Sequence, residues 1–253
     1  MSFITSPLEQ FQILPIISFS FLGFDFSITN SVVILFLGLS SFWFVLNGLV
    51  NQKSQFSLIP NRFQVLVEGL YELVTGLLKD TIGAKGQVYF PYIFSIFSFI
   101  LIANLIGLVP YSFTVTSHLI VTFSLAIMAF VGINIICIRE HGFLFFSLFL
   151  PAGSSLPLAF ILVPIELVSY FVRPISLSVR LFANMMAGHT LLKVIAGFAW
   201  TMMGSGGILL LAHFLPLAIL VVVMGLELGV AIIQAYVFTI LLCIYLNDAL
   251  NLH

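Results

Sequence analysis

The sequence contains little charge. Only 7% of its 253 residues are Asp, Glu, Lys or Arg, against about 25% in an ordinary soluble domain. Hydrophobic residues make up 61% of the chain, more than a water-soluble fold of this length can hide from solvent. Eight basic and nine acidic residues nearly cancel, so no basic face is available for a nucleic acid. The composition excludes a soluble enzyme, a nucleic-acid-binding protein and a disordered linker, and it predicts an integral membrane protein.

Cysteine and cofactor motifs are also scarce. The two cysteines, Cys137 and Cys243, lie inside apolar runs and lack metal-ligand spacing. No phosphate-binding loop of the G-x-x-x-x-G-K-[ST] type occurs. The amino-terminal segment 1–30 contains no Lys or Arg, so no removable targeting segment is evident. We therefore expect no cofactor, no metal ion and no nucleotide site.

Long apolar runs dominate what remains. They are continuous over about 20 residues, whereas the strands of a membrane β-barrel would alternate in shorter segments. Backbone polar groups must be satisfied inside the bilayer, so the spans are helices. We expect a single membrane domain over 1–253, all-α, with about five membrane helices. The first span is 31–50, and a helical hairpin occupies 89–138.

The segment 60–82 has a different pattern. Its apolar residues recur at helical spacing, while Glu68, Glu72 and Lys79 form the opposite stripe. A spanning helix would expose the two glutamates to lipid. The pattern therefore predicts an amphipathic helix that lies on the membrane surface.

The carboxyl-terminal part, 156–250, consists of two apolar segments that are each too long for a perpendicular span. Forty helical residues measure about 60 Å, and the hydrocarbon core is about 30 Å thick. The run Gly204-Ser205-Gly206-Gly207 separates the two segments. We expect two long tilted helices that form a hairpin in the membrane.

The loop charges predict the orientation. Five of the eight basic residues lie in two loop clusters that an even number of crossings separates: Lys53, Arg62, Lys79, Lys85 and Arg139. By the positive-inside tendency, both clusters face the cytoplasm or matrix, and the amino terminus faces the opposite side.

Charged residues within the two long helices are energetically unfavourable in a bilayer, so they indicate a functional site. At 100° per residue, four of them fall within about 60° of one another on the first helix: Glu166, Arg173, Arg180 and Asn184. His189 lies about 180° from Arg180. On the second helix, another stripe is formed by Glu227, Gln234, Tyr245 and Asp248. Two helices with such polar stripes can enclose a water-filled path through the membrane.

Structural interpretations of some of these residues stay open. Glu166 and Arg173 could form one intramembrane ion pair, and Arg173 and Lys193 could extend to the interface. Asn104 could make a helix–helix hydrogen bond. Arg180 resists such an interpretation, because no acidic residue lies within one turn of it on its own helix.

The run from Ser176 to His189, SLSVRLFANMMAGH, resembles the signature of subunit a of F-type ATP synthases. The resemblance extends over nearly the whole chain, including SPLEQF at 6–11, PYSFT at 110–114 and YLND at 245–248. It implies a proton-translocating stator subunit. Its implied partners are a ring of c subunits, the peripheral stalk, other membrane-sector subunits and the lipid bilayer.

The resemblance also implies roles for polar residues of the two long helices. Arg180 matches the essential arginine that faces the ring and separates two half-channels. His189 and Glu227 match residues of the half-channel on the intermembrane side. Glu166 and Asp248 match acids of the matrix half-channel, and Asn184 and Gln234 match polar neighbours of the arginine. The resemblance is to mitochondrial forms, which implies the mitochondrial inner membrane, with a bacterial inner membrane as the alternative.

Three other classes compete with this interpretation. An ion-coupled secondary transporter would show repeated halves or broken helices, and no repeat is visible. A quinone-reducing or haem-bearing subunit would require paired histidines on facing spans, and only His189 is deeply placed. A membrane assembly factor would not explain six charges in 157–250.

Overall fold

A computed structural model describes residues 9–21, 24–25, 27–50, 62–109, 112–142, 156–205 and 212–251. Several segments considered above lie outside these ranges. They include Lys53 and residues 206–211, which contain Gly206 and Gly207.

Six α-helices account for most of the described residues: α1 (Asn30–Val50), α2 (Arg62–Thr81), α3 (Phe90–Gly107), α4 (Leu119–His141), α5 (Leu156–Ser205) and α6 (Phe214–Leu250). Four described segments are long and apolar enough to cross a membrane: Lys85–Gly107, Leu119–His141, Phe160–Gly204 and Phe214–Leu250. With 21 residues, α1 has the length of a further span. The prediction of an all-α integral membrane protein is confirmed.

Helix α2 forms where the amphipathic pattern predicts it. Val74, Leu77 and Leu78, at i, i+3 and i+4, are buried, while Glu68 is exposed. The helix ends at Thr81, and Gly83, two residues later, has a φ of 78° in the left-handed region. The amide of Gly83 donates to the carbonyls of Leu78 and Lys79, as in a glycine-terminated helix. Its position on a membrane surface stays a prediction.

Helices α5 and α6 are long, as their apolar runs predict. α5 has 50 residues and is continuous through Pro164 and Pro174, and α6 has 37. α5 ends at Ser205, within the run 204–207 that the sequence predicts as the break between the two segments, and α6 begins at Phe214.

Short strands near the amino terminus were not predicted. β1 (Pro15–Ile17) pairs antiparallel with β4 (Ile28–Thr29), and β2 (Ser20–Phe21) pairs with β3 (Phe24–Asp25). Asn30 links this ribbon to α1, because its side chain accepts a hydrogen bond from the Leu14 amide at 3.3 Å and donates one to the Gln12 carbonyl at 3.1 Å. Runs of two or three residues are too short to give an alternation signal.

The chain divides into two compact units. Unit 1 comprises Met1–Phe42, Phe99–Leu119 and Leu181–Gln234, and unit 2 comprises Trp43–Ser98, Ile120–Arg180 and Ala235–His253. In unit 1 the most buried apolar residues include Ile100, Leu181 and Ala231. In unit 2 they include Val74, Leu78, Ile93, Phe97, Phe238 and Leu242.

Candidate functional site

The first polar group is the Glu227 cluster in unit 1: Glu227 and Gln234 on α6, with Asn184, Gly188 and His189 on α5. Glu227 is only 7% exposed. Its carboxyl group lies against Gly188, so that a methyl group at position 188 would be 2.6 Å from Oε1. Both carboxyl oxygens are buried without a hydrogen-bond partner among the residues that the structure describes. The missing side chain at Gly188 makes room for this carboxyl group.

A hydrogen bond ties the same two helices together. Nδ2 of Asn184 donates to Oε1 of Gln234 at 2.8 Å. Gln234 is buried and Asn184 is exposed. The next residue after Gly188, His189, is half-buried, and its Nε2 is buried with no partner in the described part of the chain. Five of the predicted polar residues or their neighbours are thus brought together.

Asn104 on α3 also contacts α6 in unit 1. Its Nδ2 donates to the carbonyl oxygen of Ala231 at 3.3 Å, and the residue is fully buried. The interpretation of Asn104 as a helix–helix hydrogen-bonding residue is confirmed.

The second polar group is the Arg173 cluster in unit 2: Arg173 and Tyr170 on α5, Tyr245 and Asp248 on α6, and Asn134 on α4. Nη1 of Arg173 donates to Oδ2 of Asp248 at 3.4 Å. The guanidinium carbon lies 4.9 Å from the centre of the Tyr245 ring and 5.4 Å from that of Tyr170. The hydroxyl of Tyr170 donates to Oδ1 of Asn134. Tyr170, Arg173, Tyr245 and Asp248 line a small pocket.

This geometry corrects one interpretation. Within the described ranges, the ion pair of Arg173 is with Asp248 and not with Glu166. Glu166 lies two turns away on the same helix, about 10 Å along the axis, whereas Asp248 lies on a helix that packs alongside in unit 2.

Arg180 and Glu166 belong to neither cluster. Arg180 is exposed, and it makes no hydrogen bond or ion pair with any residue in the described part of the chain. Glu166 is half-exposed and likewise makes no such contact there. The predicted residues therefore include a buried carboxyl group at Glu227, a charge-paired carboxylate at Asp248 and, at Arg180, a guanidinium without a partner among the described residues.

Asn134 and Tyr170 were missed as site residues. A signal was present, since Asn134 is a polar residue inside a span and Tyr170 precedes Arg173 by one turn. Among the described residues, no three His, Cys, Asp or Glu side chains lie close enough together to bind a metal ion.

Long apolar helices with a buried carboxyl group, and with an arginine that has no partner among the described residues, define a membrane protein of the kind that moves ions or protons. Residues 28–247 match the family described as ATP synthase A chain. The chain is 59% identical to ATP synthase subunit a of Pylaiella littoralis over 248 residues, covering 98% of this chain and 99% of the relative. It is 52% identical to that of Chondrus crispus, covering 99% and 98%, and 50% identical to that of Marchantia polymorpha, covering 98% and 99%.

The chain therefore belongs to the ATP synthase A chain family. The family resemblance in the sequence is confirmed. The function of the chain is proton translocation in the membrane sector of an F-type ATP synthase, where it has other membrane-sector subunits as partners.

Proposed function

We propose that the chain moves protons through two offset half-channels, which load and unload the carboxylates of a rotating ring of c subunits. The Glu227 cluster, with His189, Asn184 and Gln234, forms the half-channel on the intermembrane side. Glu166 and Asp248 belong to the matrix half-channel. The observation that carries this proposal is Arg180, which has no partner among the described residues. In the sequence it lies between Arg173 and Asn184, which belong to the two clusters.

The physical chemistry of arginine suits this separating role. Its guanidinium stays protonated at any working pH, so it is a fixed charge and not a proton carrier. A nearby rotor carboxylate is favoured in its ionised form. Only the neutral carboxyl group enters lipid at a low energetic cost. The rotating ring must therefore carry each proton on a carboxyl group from one half-channel to the other. A membrane potential supplies about 2.3 kcal/mol per charge per 100 mV.

The proposal also covers the membrane in which the chain lies, its domain organisation and a further partner. We place the chain in a mitochondrial inner membrane, as a single membrane domain whose helix pair over 156–250 carries the proton path. The peripheral stalk is a further proposed partner. Support comes from the resemblance of the sequence to mitochondrial forms and from its Phe-rich composition, with 28 Phe residues. Co-fractionation with mitochondrial inner membranes and co-purification with c subunits and stalk proteins test these points.

The half-channels are tested by the side from which water reaches each group. Cysteines replace Glu166, Asp248, His189 and Glu227 one at a time in the assembled complex, in sealed vesicles of known orientation. Impermeant thiol or silver reagents are added to one face and then to the other. We expect positions 166 and 248 to react from the side of the basic loops, and positions 189 and 227 from the opposite side.

Reaction of all four cysteines from one face would overturn the proposal. Such a result would mean a single continuous pore, which would leak protons without turning a rotor. The native Cys137 and Cys243 are both buried, and vesicles with the unsubstituted chain measure their background labelling.

A further inference from the structure

The guanidinium of Arg173 is enclosed on three sides. The Tyr245 ring lies 4.9 Å from its central carbon on one side, and the Tyr170 ring lies 5.4 Å away on another. Oδ2 of Asp248 accepts its hydrogen bond at 3.4 Å. Both distances to the rings are within the range of cation–π attraction. The conformation of this long side chain is therefore defined by two aromatic rings as well as by its carboxylate.

Tyr170 is itself held in place. Its hydroxyl donates to Oδ1 of Asn134 on α4, and its ring lies 4.8 Å from that of Phe130, also on α4. The residue is 9% exposed. A tyrosine with a bonded hydroxyl and a buried ring has little freedom to turn away from Arg173.

The ion pair needs such support. Its side chains are 21% exposed for Arg173 and 43% for Asp248, so water competes for both charges. A separation of 3.4 Å is beyond the usual length of an N–H···O bond, and a small turn of the guanidinium would open it. Among the described residues, the other titratable groups in this part of unit 2 include Tyr170, Tyr245 and Cys137, whose Sγ donates to the Ala249 carbonyl. His141 on α4 also lies here, with its Nε2 3.2 Å from the Leu250 carbonyl oxygen.

We propose that Asn134, Tyr170 and Tyr245 are positioning residues for proton release, which hold the Arg173 guanidinium against the Asp248 carboxylate. This inference rests on the proposed function, because it takes Asp248 to lie on the matrix half-channel. The three residues do not carry the proton. They fix the direction in which Asp248 faces: the hydrogen bond from Tyr170 to Asn134 on α4 holds Tyr170 in place, and the Tyr170 and Tyr245 rings enclose Arg173.

The test compares substitutions that keep or remove each contact. ATP-driven acidification is measured in sealed vesicles containing the whole complex and is divided by the amount of assembled complex. Tyr245→Phe keeps the ring and should pump like the wild type, whereas Tyr245→Leu should lose about fivefold, as expected for one cation–π contact. Tyr170→Phe and Asn134→Leu remove the same hydrogen bond and should cause equal, smaller losses. Phe160→Leu is the matched control, because Phe160 is 84% exposed on the same helix.

A second comparison separates positioning from packing. Arg173→Gln removes the cation, so Tyr245→Leu should cause no further loss of pumping in Arg173→Gln complexes. Losses that multiply, or a Tyr245→Leu complex that pumps like the wild type, would overturn the positioning role.

The failure of the proposed function has a different signature. Asp248→Asn should slow pumping on its own. Wild-type pumping by Asp248→Asn would remove Asp248 from the proton path, whatever the tyrosine variants do. Slow pumping by Asp248→Asn together with wild-type pumping by Tyr245→Leu would leave the path intact and overturn only the positioning role.

Discussion

Two arginines on α5 have opposite surroundings. Arg173 is bonded to Asp248 and flanked by two rings, whereas Arg180 is exposed and makes no such contact within the described residues. An intramembrane charge without a partner on its own chain is costly. Arg173 is therefore held by its neighbours, whereas the Arg180 guanidinium is available to a moving partner.

Replacement of Arg180 by alanine should abolish coupled ATP synthesis while the complex still assembles. Truncating an exposed side chain leaves no cavity and no unpaired buried group. Arg180→Lys should also work poorly, because an ammonium lacks the planar fork and loses its proton more readily when buried. ATP synthesis, ATP-driven pumping and the amount of assembled complex are measured in the same membranes. Near-normal pumping by Arg180→Ala would contradict the separating role.

Gly188→Ala should slow proton flux without loss of the complex. The added methyl group would be 2.6 Å from Oε1 of Glu227 and 3.0 Å from its Cδ, so the carboxyl group must move. The displaced group is the end of a flexible side chain, so folding costs little. Gly197→Ala is the matched control on the same helix, because nothing lies within 4 Å of its new methyl group. Equal proton fluxes in the two variants would show that the position of the Glu227 carboxyl group does not matter.

At the scale of elements, the hydrogen bond from Asn184 to Gln234 joins α5 and α6 in unit 1. Asn184→Ala would leave the buried Oε1 of Gln234 without its donor, which costs about 1–3 kcal/mol. The thermal inactivation temperature of the purified complex should fall. Adding Gln234→Leu to Asn184→Ala should restore part of the loss, because removing both partners is nearly neutral. A double variant less stable than Asn184→Ala would show that Gln234 has another polar partner.

The helices themselves were predictable from the sequence, because each apolar run is as long as a membrane span requires. The end of α5 at Ser205 lies within the Gly-Ser-Gly-Gly run, whose composition favours a turn. The strands at 15–29 were missed because their two or three residues are too short for any periodicity to appear.

For the whole molecule, helical phase predicts which polar residues of α5 and α6 share a face, but not which residues of the two helices meet. Helical phase places Arg173 and Asp248 on polar stripes. It says nothing of the contact across 75 positions, because pairing depends on how two helices pack. The same limit explains why Glu166 was considered for Arg173. The contact between Glu227 and Gly188 likewise depends on packing, and no property of Gly188 alone indicates it.

The distribution of basic loops makes a prediction about the whole chain. A cysteine in place of Lys85, an exposed residue, should react with an impermeant thiol reagent from the matrix side. A cysteine in place of Leu119, which is 47% exposed at the start of α4, should react from the opposite side. Labelling of intact and inverted vesicles measures both. Reaction of the two positions from one side would mean that α3 does not cross the membrane.

The two prolines of α5 have a consequence for the backbone. Pro164 and Pro174 have no amide hydrogen, so the carbonyls of Phe160 and Tyr170, four residues earlier, lack their helical donors. Hydrocarbon supplies no replacement, and such groups must bond to water or to a neighbouring side chain. The part of α5 before residue 175 is thus a helix whose backbone ladder lacks two hydrogen bonds. From residue 175 to Ser205 no proline interrupts the ladder, so we expect the amides there to exchange hydrogen more slowly than those around the two prolines.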